Sequence, residues 1–490
     1  MLLGEAGAKA KGEHRVGHRG PLILSRHRAA WVTVFRSMGR VLAGAKLQEA
    51  SLLSPSPANH RFTTVLGAAQ LCYLVMILLL VWMKDPLTIG GLDAYPADYL
   101  FVAAAVLWLV ALVRGETSVR WHRGYWIIAL YFAAMSLSAL HSSFPQRSAF
   151  KLLTQVYLLA LPILTFNLIR TLPDFIRLVR WWMTATAGVA FLGVATLLLF
   201  PFFGANSALS WPLHHFGTLP PGAYPRLELT FSFPAMLANY LTVSVALLLI
   251  AVRLGWLNSS IGVVLGAGIL LSALFALTPG FGGLLFVLGA WFWYRKHDES
   301  PLLARVALIA AGAMPIVGVL LASATPILHR TAPFLIHIAG LPVPLAPSVR
   351  LLAWIEATQN FFASPIIGRG IGIDAVRVVY EQANLCSGIC VTDAHYTFLN
   401  FAVQTGSVGL GALLLTIGFV ACHIPRPPSR SETDAIVFGL AIAWLSGFAL
   451  QGLVGSFEDA RHLWILFGLI LSASALPRSK LEVPTSDRSA

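Results

Sequence analysis

The amino-acid sequence predicts an all-α, polytopic membrane protein with about 12 transmembrane helices and one long loop on the outer side. Three observations predict this fold class. Hydrophobic residues make up 57% of the 490 residues and charged residues only 11%, which excludes an ordinary soluble globular protein. The apolar residues gather in runs long enough to cross a bilayer. Most of the 34 lysines and arginines fall in alternate loops between these runs.

The predicted spans follow one another along the chain, and a single long connection interrupts them. They cover residues 64–83, 98–113, 124–140, 152–169, 181–200, 229–252, 257–277, 281–294, 303–323, 396–421, 435–453 and 462–476. Three of these segments are short, and we expect them to be tilted, half-buried or bounded differently. Together the spans predict a transmembrane domain over residues 63–476, with the long outer loop at residues 325–393.

The positions of lysine and arginine predict the orientation of the chain. Ten of them precede the first span, and the even-numbered loops hold most of the others. Because short cytoplasmic loops are enriched in these residues, both termini are predicted to lie in the cytoplasm. The net charge of +13 is thus explained by topology and does not predict nucleic-acid binding.

The basic segment before the first span, residues 1–62, has two interpretations. Trp31, Phe35 and Met38 recur at helical spacing beside Arg36 and Arg40, which is typical of an interfacial helix on anionic lipid. The alternative is a partly disordered segment. No cleavable signal peptide is predicted, because the first apolar run begins only after about 60 residues. Residues 477–490 are predicted to form a short cytoplasmic tail.

Cysteine and histidine spacing predicts neither a metal site nor a cofactor. Cys386 and Cys390 lie four residues apart in the outer loop, where they either form a disulfide or stay reduced. His214 and His215 are adjacent and lack the spaced carboxylate partners of a zinc site. No nucleotide-binding fingerprint is present.

Charged side chains at the outer membrane face are the candidates for chemistry, because charges there are unfavourable unless they are paired or used. The candidates are Arg226, Arg350, Arg369, Arg377, Arg461 and His395. The arginine fork makes two parallel hydrogen bonds to phosphate oxygens. Beside a histidine, such arginines suit transfer from a lipid pyrophosphate. The arginines hold the leaving group, and the histidine removes a proton from an acceptor hydroxyl.

Each candidate also has a structural interpretation. A lone histidine just before a helix is often an end cap, and Arg350, six residues before Glu356, is compatible with an ordinary loop arginine. The glycines of SPIIGRGIG, residues 364–372, suit a turn after a helix. GRGIG is a weak phosphate-loop signal, because no strand precedes it and no Lys-Ser or Lys-Thr pair follows.

Three segments together resemble the signature of the O-antigen ligase and O-antigen polymerase superfamily. They are SVRLLAWIEA at residues 348–357, SPIIGRGIG at 364–372 and AHYTFLNFAVQTGSVGLG at 394–411. Upstream, RLELTFSFPAMLANYL at residues 226–241 is similar to an outer loop of that family and the helix after it. The resemblance extends over roughly residues 60–476, and its specific part is the pair of segments that contain Arg350 and His395.

The resemblance implies a GT-C-like enzyme of the bacterial inner membrane with a periplasmic active site. Its implied donor is an undecaprenyl-pyrophosphate-linked glycan. The implied acceptor is the lipid A-core in a ligase, or another lipid-linked repeat unit in a polymerase. No metal, nucleotide or other cofactor is implied. On this pattern His395 is the base or acceptor-orienting residue, and Arg350 binds the pyrophosphate.

The sequence departs from the family pattern at two positions. Phe281 stands where the family usually has an arginine, and Ala235 stands where it usually has an asparagine. Either Arg226, Arg369 or Arg461 compensates, or the protein is divergent in substrate or impaired. Two alternatives stay open: a non-enzymatic transporter of lipid-linked glycans and a degenerate regulatory member. The spans contain almost no acidic residues, which disfavours an ion-coupled transporter.

Overall fold

The computed structural model describes residues 64–84, 86–89, 92–203, 211–213, 225–326, 334–338, 341–347, 349–376, 378–379, 390–425 and 431–477. The predicted N-terminal segment and nearly all of the tail lie outside these ranges, as do Arg377, Cys386 and the two adjacent histidines. The chain divides into two units, Met1–Arg61 and Phe62–Ala490, and every described residue belongs to the second.

Thirteen α-helices account for most of the described residues. They are α1 (Val65–Leu79), α2 (Pro96–Val113), α3 (Gly124–Leu140), α4 (Pro145–Leu168), α5 (Leu172–Phe203), α6 (Pro234–Arg253), α7 (Ser259–Phe275), α8 (Phe281–Lys296), α9 (Pro301–Ser323), α10 (Val349–Ala363), α11 (Thr397–Cys422), α12 (Glu432–Trp444) and α13 (Arg461–Ser474). A π-helix, Leu445–Leu450, and a 3-10 turn, Gln451–Leu453, continue α12.

The lengths and composition of these helices are those of a polytopic membrane protein. Among the described residues, seven helices are long and apolar enough to cross a membrane: α2, α4, α5, α6, α9, α11 and α12 with its extension. Four shorter apolar helices, α1, α3, α7 and α13, accompany them. A helix lies over each predicted span, α8 included, but the count of 12 crossings stays a prediction.

Large aliphatic side chains cover the outside of the helical bundle. Val263 and Val264 on α7 are 72% and 74% exposed, and Ile309 on α9 is 72% exposed. Side chains of this kind on most peripheral helices would form an extensive apolar surface in water. The pattern fits contact with lipid, as the composition predicted.

Among the seven long apolar helices, α6 and α12 with its extension are the most buried. Trp182 of α5 stacks on Tyr240 of α6 with ring centroids 5.5 Å apart, and its indole N–H donates to Ser244 Oγ at 3.0 Å. Asn239 Nδ2 donates to Gln451 Oε1 at 2.7 Å and so joins α6 to the end of α12. Buried polar groups need such partners, and these bonds hold α5, α6 and the end of α12 together.

The end of α12 departs from α-helical geometry where α8 approaches it. A Cβ atom on Gly283 would lie 2.6 Å from Gln451 Cγ, so only glycine fits at this position. Ser446 Oγ donates to the Gly283 carbonyl at 2.6 Å within the π-helical segment. The π-helical segment and the 3-10 turn after it lead into the connection to α13.

The strands are short and lie in the connections between helices. They are β1 (Leu87–Ile89), β2 (Leu92–Ala94), β3 (Ala324–Pro326), β4 (Phe334–Ile338), β5 (Leu341–Pro347), β6 (Val378–Val379) and β7 (Cys390–Val391). β1 pairs with β2, the order β3-β5-β4 forms a three-stranded sheet, and β6 pairs with β7, all antiparallel. The predicted long outer loop therefore contains short strands and the helix α10, whereas the rest of the fold is mainly helical.

Candidate active site

His395 lies on the turn that leads into α11. Its φ angle is +49°, in the left-handed region that non-glycine residues rarely occupy. Asp393 Oδ1 accepts a hydrogen bond from the His395 backbone N–H at 2.8 Å and stabilises this turn. The residue is exposed at the surface. Backbone strain of this kind clusters at positions that aim a side chain at a ligand.

A connection that we call the hub loop, residues 454–460, holds this turn in place. The Gly455 carbonyl accepts hydrogen bonds from the backbone N–H and the hydroxyl of Thr397, both at 3.0 Å. The Phe457 N–H donates to Thr397 Oγ1 at 3.0 Å, and Ser456 Oγ donates to Asp393 Oδ1 at 2.6 Å. The start of α11 is therefore tied to the hub loop on both sides of the histidine.

Arg350 reaches the hub loop from α10. It is the second residue of that helix, and its Nη1 donates to the Val454 carbonyl at 2.8 Å. One turn later, Trp354 Nε1 donates to the Ala394 carbonyl at 3.0 Å. These two bonds place the start of α10 between the hub loop and the turn that contains His395.

Arg226, Arg350, Asp393 and His395 form one electrostatic cluster, which we call the arginine–histidine cluster. Burial lowers the pKa of Arg350 to about 10, with repulsion from Arg226 adding to the effect and Asp393 opposing it. Desolvation also lowers the pKa of His395 below its ordinary value of 6.5, while Asp393 acts to raise it and Arg350 to lower it. At neutral pH the arginine is therefore charged, and the imidazole is neutral and able to accept a proton.

Arg226 enters the cluster from the segment before α6. Its Nε donates to the Ala276 carbonyl at 3.3 Å, and the next residue, Leu227, donates its N–H to the Phe275 carbonyl at 2.8 Å. Both acceptors lie at the end of α7. Phe281, which occupies the place of the expected family arginine, begins α8 and packs partly buried against the hydrophobic core. Its side chain supplies no charge.

Arg369 lies apart from the arginine–histidine cluster. The residue is exposed, and no contact among the described residues joins its side chain to that cluster. The glycines beside it serve a close approach of two backbones. A Cβ atom on Gly368 would lie 2.4 Å from the Gln404 carbonyl oxygen, and one on Gly406 would lie 2.2 Å from that of Ile366. This geometry supports the structural interpretation of the GRGIG turn.

Arg461 binds a carboxylate of the protein itself. Its Nε donates to Asp98 Oδ1 at 2.7 Å and its Nη2 to Asp98 Oδ2 at 2.8 Å, a bidentate pair. Tyr157 donates to the same carboxylate at 2.6 Å, and the guanidinium lies 4.8 Å from the centroid of the Tyr95 ring. This arginine therefore joins α13 to α2 and α4.

The structure adds acidic and polar residues that the sequence did not single out. Asp393 acts on both His395 and Arg350, and Lys151 of α4 pairs with Asp459 of the hub loop. Asn400 Nδ2 of α11 donates to Glu458 Oε1 at 2.8 Å. The usable signal was a carboxylate two residues before the histidine and an adjacent Glu-Asp pair just before the last span. A search limited to acidic residues inside the spans misses Asp393 and the Glu-Asp pair, because they lie at span ends.

Two further sequence predictions concern metal ligands and cysteines. Within the described ranges, no group of three or more His, Cys, Asp or Glu residues is placed to hold a metal ion. Cys72 and Cys422 are free thiols. The predicted alternatives for Cys386 and Cys390 lie outside the described residues, since only the backbone of Cys390 is described.

Comparison with known proteins assigns no family. No protein-family model matches the chain, and no curated protein matches it. The resemblance to the O-antigen ligase and polymerase superfamily therefore stays a hypothesis that rests on the quoted segments.

Proposed function

We propose that the protein is a metal-independent membrane glycosyltransferase that moves a glycan from undecaprenyl pyrophosphate to an acceptor hydroxyl. The proposed setting is the bacterial inner membrane, with both termini in the cytoplasm and the site facing the periplasm. The acceptor is the lipid A-core or another lipid-linked glycan. The observation that carries the proposal is that a neutral His395 lies in the same electrostatic cluster as Arg350 and Arg226.

The two arginines suit a pyrophosphate because they repel each other where they stand. Arg226 lowers the pKa of Arg350, and Asp393 offsets this only in part. A bound pyrophosphate would replace the repulsion between the two arginines by attraction, since each guanidinium can make two parallel hydrogen bonds to the pyrophosphate oxygens. The Val454 carbonyl takes one of the five N–H donors of Arg350, so the residue retains donors for the anion.

In the proposed reaction His395 acts as the general base. Its neutral imidazole takes the proton of the acceptor hydroxyl as that oxygen bonds to the anomeric carbon of the donor sugar. The bond between this carbon and the pyrophosphate oxygen breaks, and the lipid pyrophosphate leaves as an anion on Arg350 and Arg226. Asp393 favours the imidazolium that forms, because its charge raises the pKa of His395.

We leave two of the predicted arginines out of the anion site. Arg461 already binds the Asp98 carboxylate through two hydrogen bonds. Arg369 is exposed, and its turn packs against α11 through the close approach of Gly368 and Gly406. The proposed site therefore consists of Arg226, Arg350 and His395, with Asp393 orienting the turn.

The test uses purified protein in lipid nanodiscs with an undecaprenyl-pyrophosphate glycan and two acceptors offered separately, lipid A-core and a second lipid-linked glycan. His395→Ala is expected to lower turnover by about 10²–10⁴-fold, the usual loss for a general base. His141→Ala is the matched control, because His141 is also exposed and caps the end of α3. The acceptor that is used decides between ligase and polymerase.

Surface glycan in a deletion strain gives an independent reading of the same variants. The His395→Ala protein should reach the membrane at the wild-type level and fail to restore glycan, whereas His141→Ala should restore it. Wild-type glycan from the His395→Ala strain would rule out the catalytic role. If the wild-type protein binds the donor but transfers glycan to neither acceptor, the transporter or regulatory alternative is favoured.

A further inference from the structure

Glu458 is a buried carboxyl group on the hub loop, only 6% exposed. Its Oε1 accepts a hydrogen bond from Asn400 Nδ2, whereas Glu458 Oε2 and Asn400 Oδ1 are both buried without a hydrogen-bond partner in the described part of the chain. If the carboxyl group is ionised, both of these oxygens can only accept. A proton on Oε2 turns one of them into a donor, and amide and acid can then pair through two parallel hydrogen bonds.

The charges around Glu458 also favour the protonated form. Asp459 of the hub loop and Asp393 before α11 repel an ionised carboxylate, while Lys151 of α4 attracts it. From α3, Tyr131 faces the same region, and its buried hydroxyl has no described partner either. Burial contributes most, and together these effects raise the pKa of Glu458 to about 7.

We propose that Glu458 is a proton-holding positioning residue of the His395 site. As a neutral acid it pairs with Asn400 and keeps the hub loop against the start of α11. As a carboxylate it is repelled by Asp393 and Asp459, and the hub loop loosens. The catalytic consequence rests on the proposed function, whereas the protonation state of Glu458 can be measured without any activity.

Loosening of the hub loop would reach the reacting groups through two hydrogen bonds. The Val454 carbonyl holds Arg350 at 2.8 Å, and the Ser456 hydroxyl holds Asp393 at 2.6 Å. Both residues act on the pKa of His395. Turnover should therefore fall as pH rises through neutrality, in addition to the fall at acid pH that protonation of His395 causes.

Infrared titration tests the proton on Glu458 directly. In wild-type protein with carbon-13-labelled glutamate, one protonated-carboxyl C=O band should persist above pH 6 and disappear near pH 7. The band should be absent from Glu458→Gln and present in Glu299→Gln, since Glu299 is exposed and pairs with Lys296. A glutamate population that is fully ionised by pH 6 would overturn the proposal, and the wild-type titration decides this even if the Gln variant does not fold.

The pH dependence of turnover tests the positioning role. Glu458→Gln preserves an amide that can pair with Asn400 and cannot ionise, so it should keep turnover within about tenfold of wild type at pH 6.5 and lose the alkaline fall. Glu458→Ala, which removes the pair, should be weakly active at every pH. An alkaline fall that is unchanged in Glu458→Gln would overturn the positioning role. If the wild-type protein transfers no glycan but the infrared band titrates near pH 7, the proposed function fails while the protonated Glu458 stands.

Discussion

The chemistry of His395 is set by its immediate neighbours. The left-handed turn, with its N–H bonded to Asp393, lifts the side chain to the surface, and protein atoms around it disfavour the charged imidazolium. Asp393 and Arg350 act on this pKa in opposite directions. One carboxylate and one guanidinium therefore act on the pKa of His395, and removing the one or the other should shift that pKa in opposite directions.

We predict that two variants shift the acid limb of the pH profile of turnover in opposite directions. Because desolvation holds the pKa of His395 below 6.5, the neutral base dominates above that pH, and activity is lost as pH falls through the lowered pKa. Asp393→Asn keeps an oxygen for the turn but removes the negative charge, so the limb should move to lower pH. Arg350→Gln should move the limb to higher pH at reduced turnover.

The pH profile of kcat, measured with saturating donor, checks this pair of shifts. Asp374→Asn is the control, because Asp374 lies between α10 and α11, as Asp393 does, and pairs with Arg147 at 3.7 Å. A shift in the same direction for both variants would mean that Asp393 and Arg350 do not act on the base.

Replacement of Arg350 by lysine should be nearly as damaging as replacement by alanine. Lysine offers a point charge and cannot make the two parallel hydrogen bonds of the guanidinium. We expect both variants to lose about 10²-fold or more in kcat/KM, as loss of a transition-state donor commonly does. Arg147→Lys is the control, since the Arg147 side chain is 58% exposed. Near-wild-type turnover of Arg350→Lys would show that charge alone suffices there.

At the scale of elements, the turn that follows α10, at residues 364–372, docks on a kink in α11. Gly406 has a φ of +65° inside that helix, and Gly368 of the turn has a φ of +79°. The backbones approach too closely for a Cβ atom at either position. The kink places the first part of α11, and with it the turn that contains His395, against α10.

Gly368→Ala should destabilise the folded protein, whereas Gly411→Ala should not. At Gly368 a methyl group meets backbone atoms at 2.4 Å that cannot rotate away, so we expect a loss of about 1–3 kcal/mol or more. At Gly411, which lies on α11, nothing lies within 4 Å of an added Cβ. Alanine there should stabilise the helix by up to about 1 kcal/mol. Thermal unfolding followed by size-exclusion chromatography separates the two, and equal stability would contradict the docking argument.

At the scale of the whole molecule, an ion pair joins helices from the two ends of the described chain. Asp98 lies in the first turn of α2 and Arg461 begins α13, far apart in the sequence, and their side chains are only 17% and 18% exposed. Tyr157 of α4 bonds to both. Removal of one partner from such a pair leaves an uncompensated charge in a poorly solvated place.

We therefore predict strong coupling in a double-mutant cycle on this ion pair. Asp98→Asn and Arg461→Gln should each destabilise the protein, by up to about 3–5 kcal/mol if the site is fully desolvated. The double variant should be less damaged than the sum of the two. The surviving folded fraction of Arg461→Gln should keep its KM for the donor. An additive cycle together with a large rise in KM would return Arg461 to the anion site.

The sequence by itself determined the class of the protein and the position of its helices. Hydropathy is a local property, so runs of apolar residues locate membrane helices without knowledge of their neighbours. His395 could be chosen as a candidate because it stands at the predicted start of a span, and Arg350 because it is an arginine on the predicted outer side. The strands of the outer connection escaped prediction because they are short and pair only with one another.

Only the tertiary structure decided which charges act together. Arg461 and Arg350 are equally plausible phosphate ligands in the sequence, yet one is bound to Asp98 and the other lies beside Arg226 and His395. The protonation of Glu458 likewise depends on burial and on carboxylates contributed by other segments. Electrostatic interactions depend on distance in space and on local solvation, neither of which spacing along the chain determines.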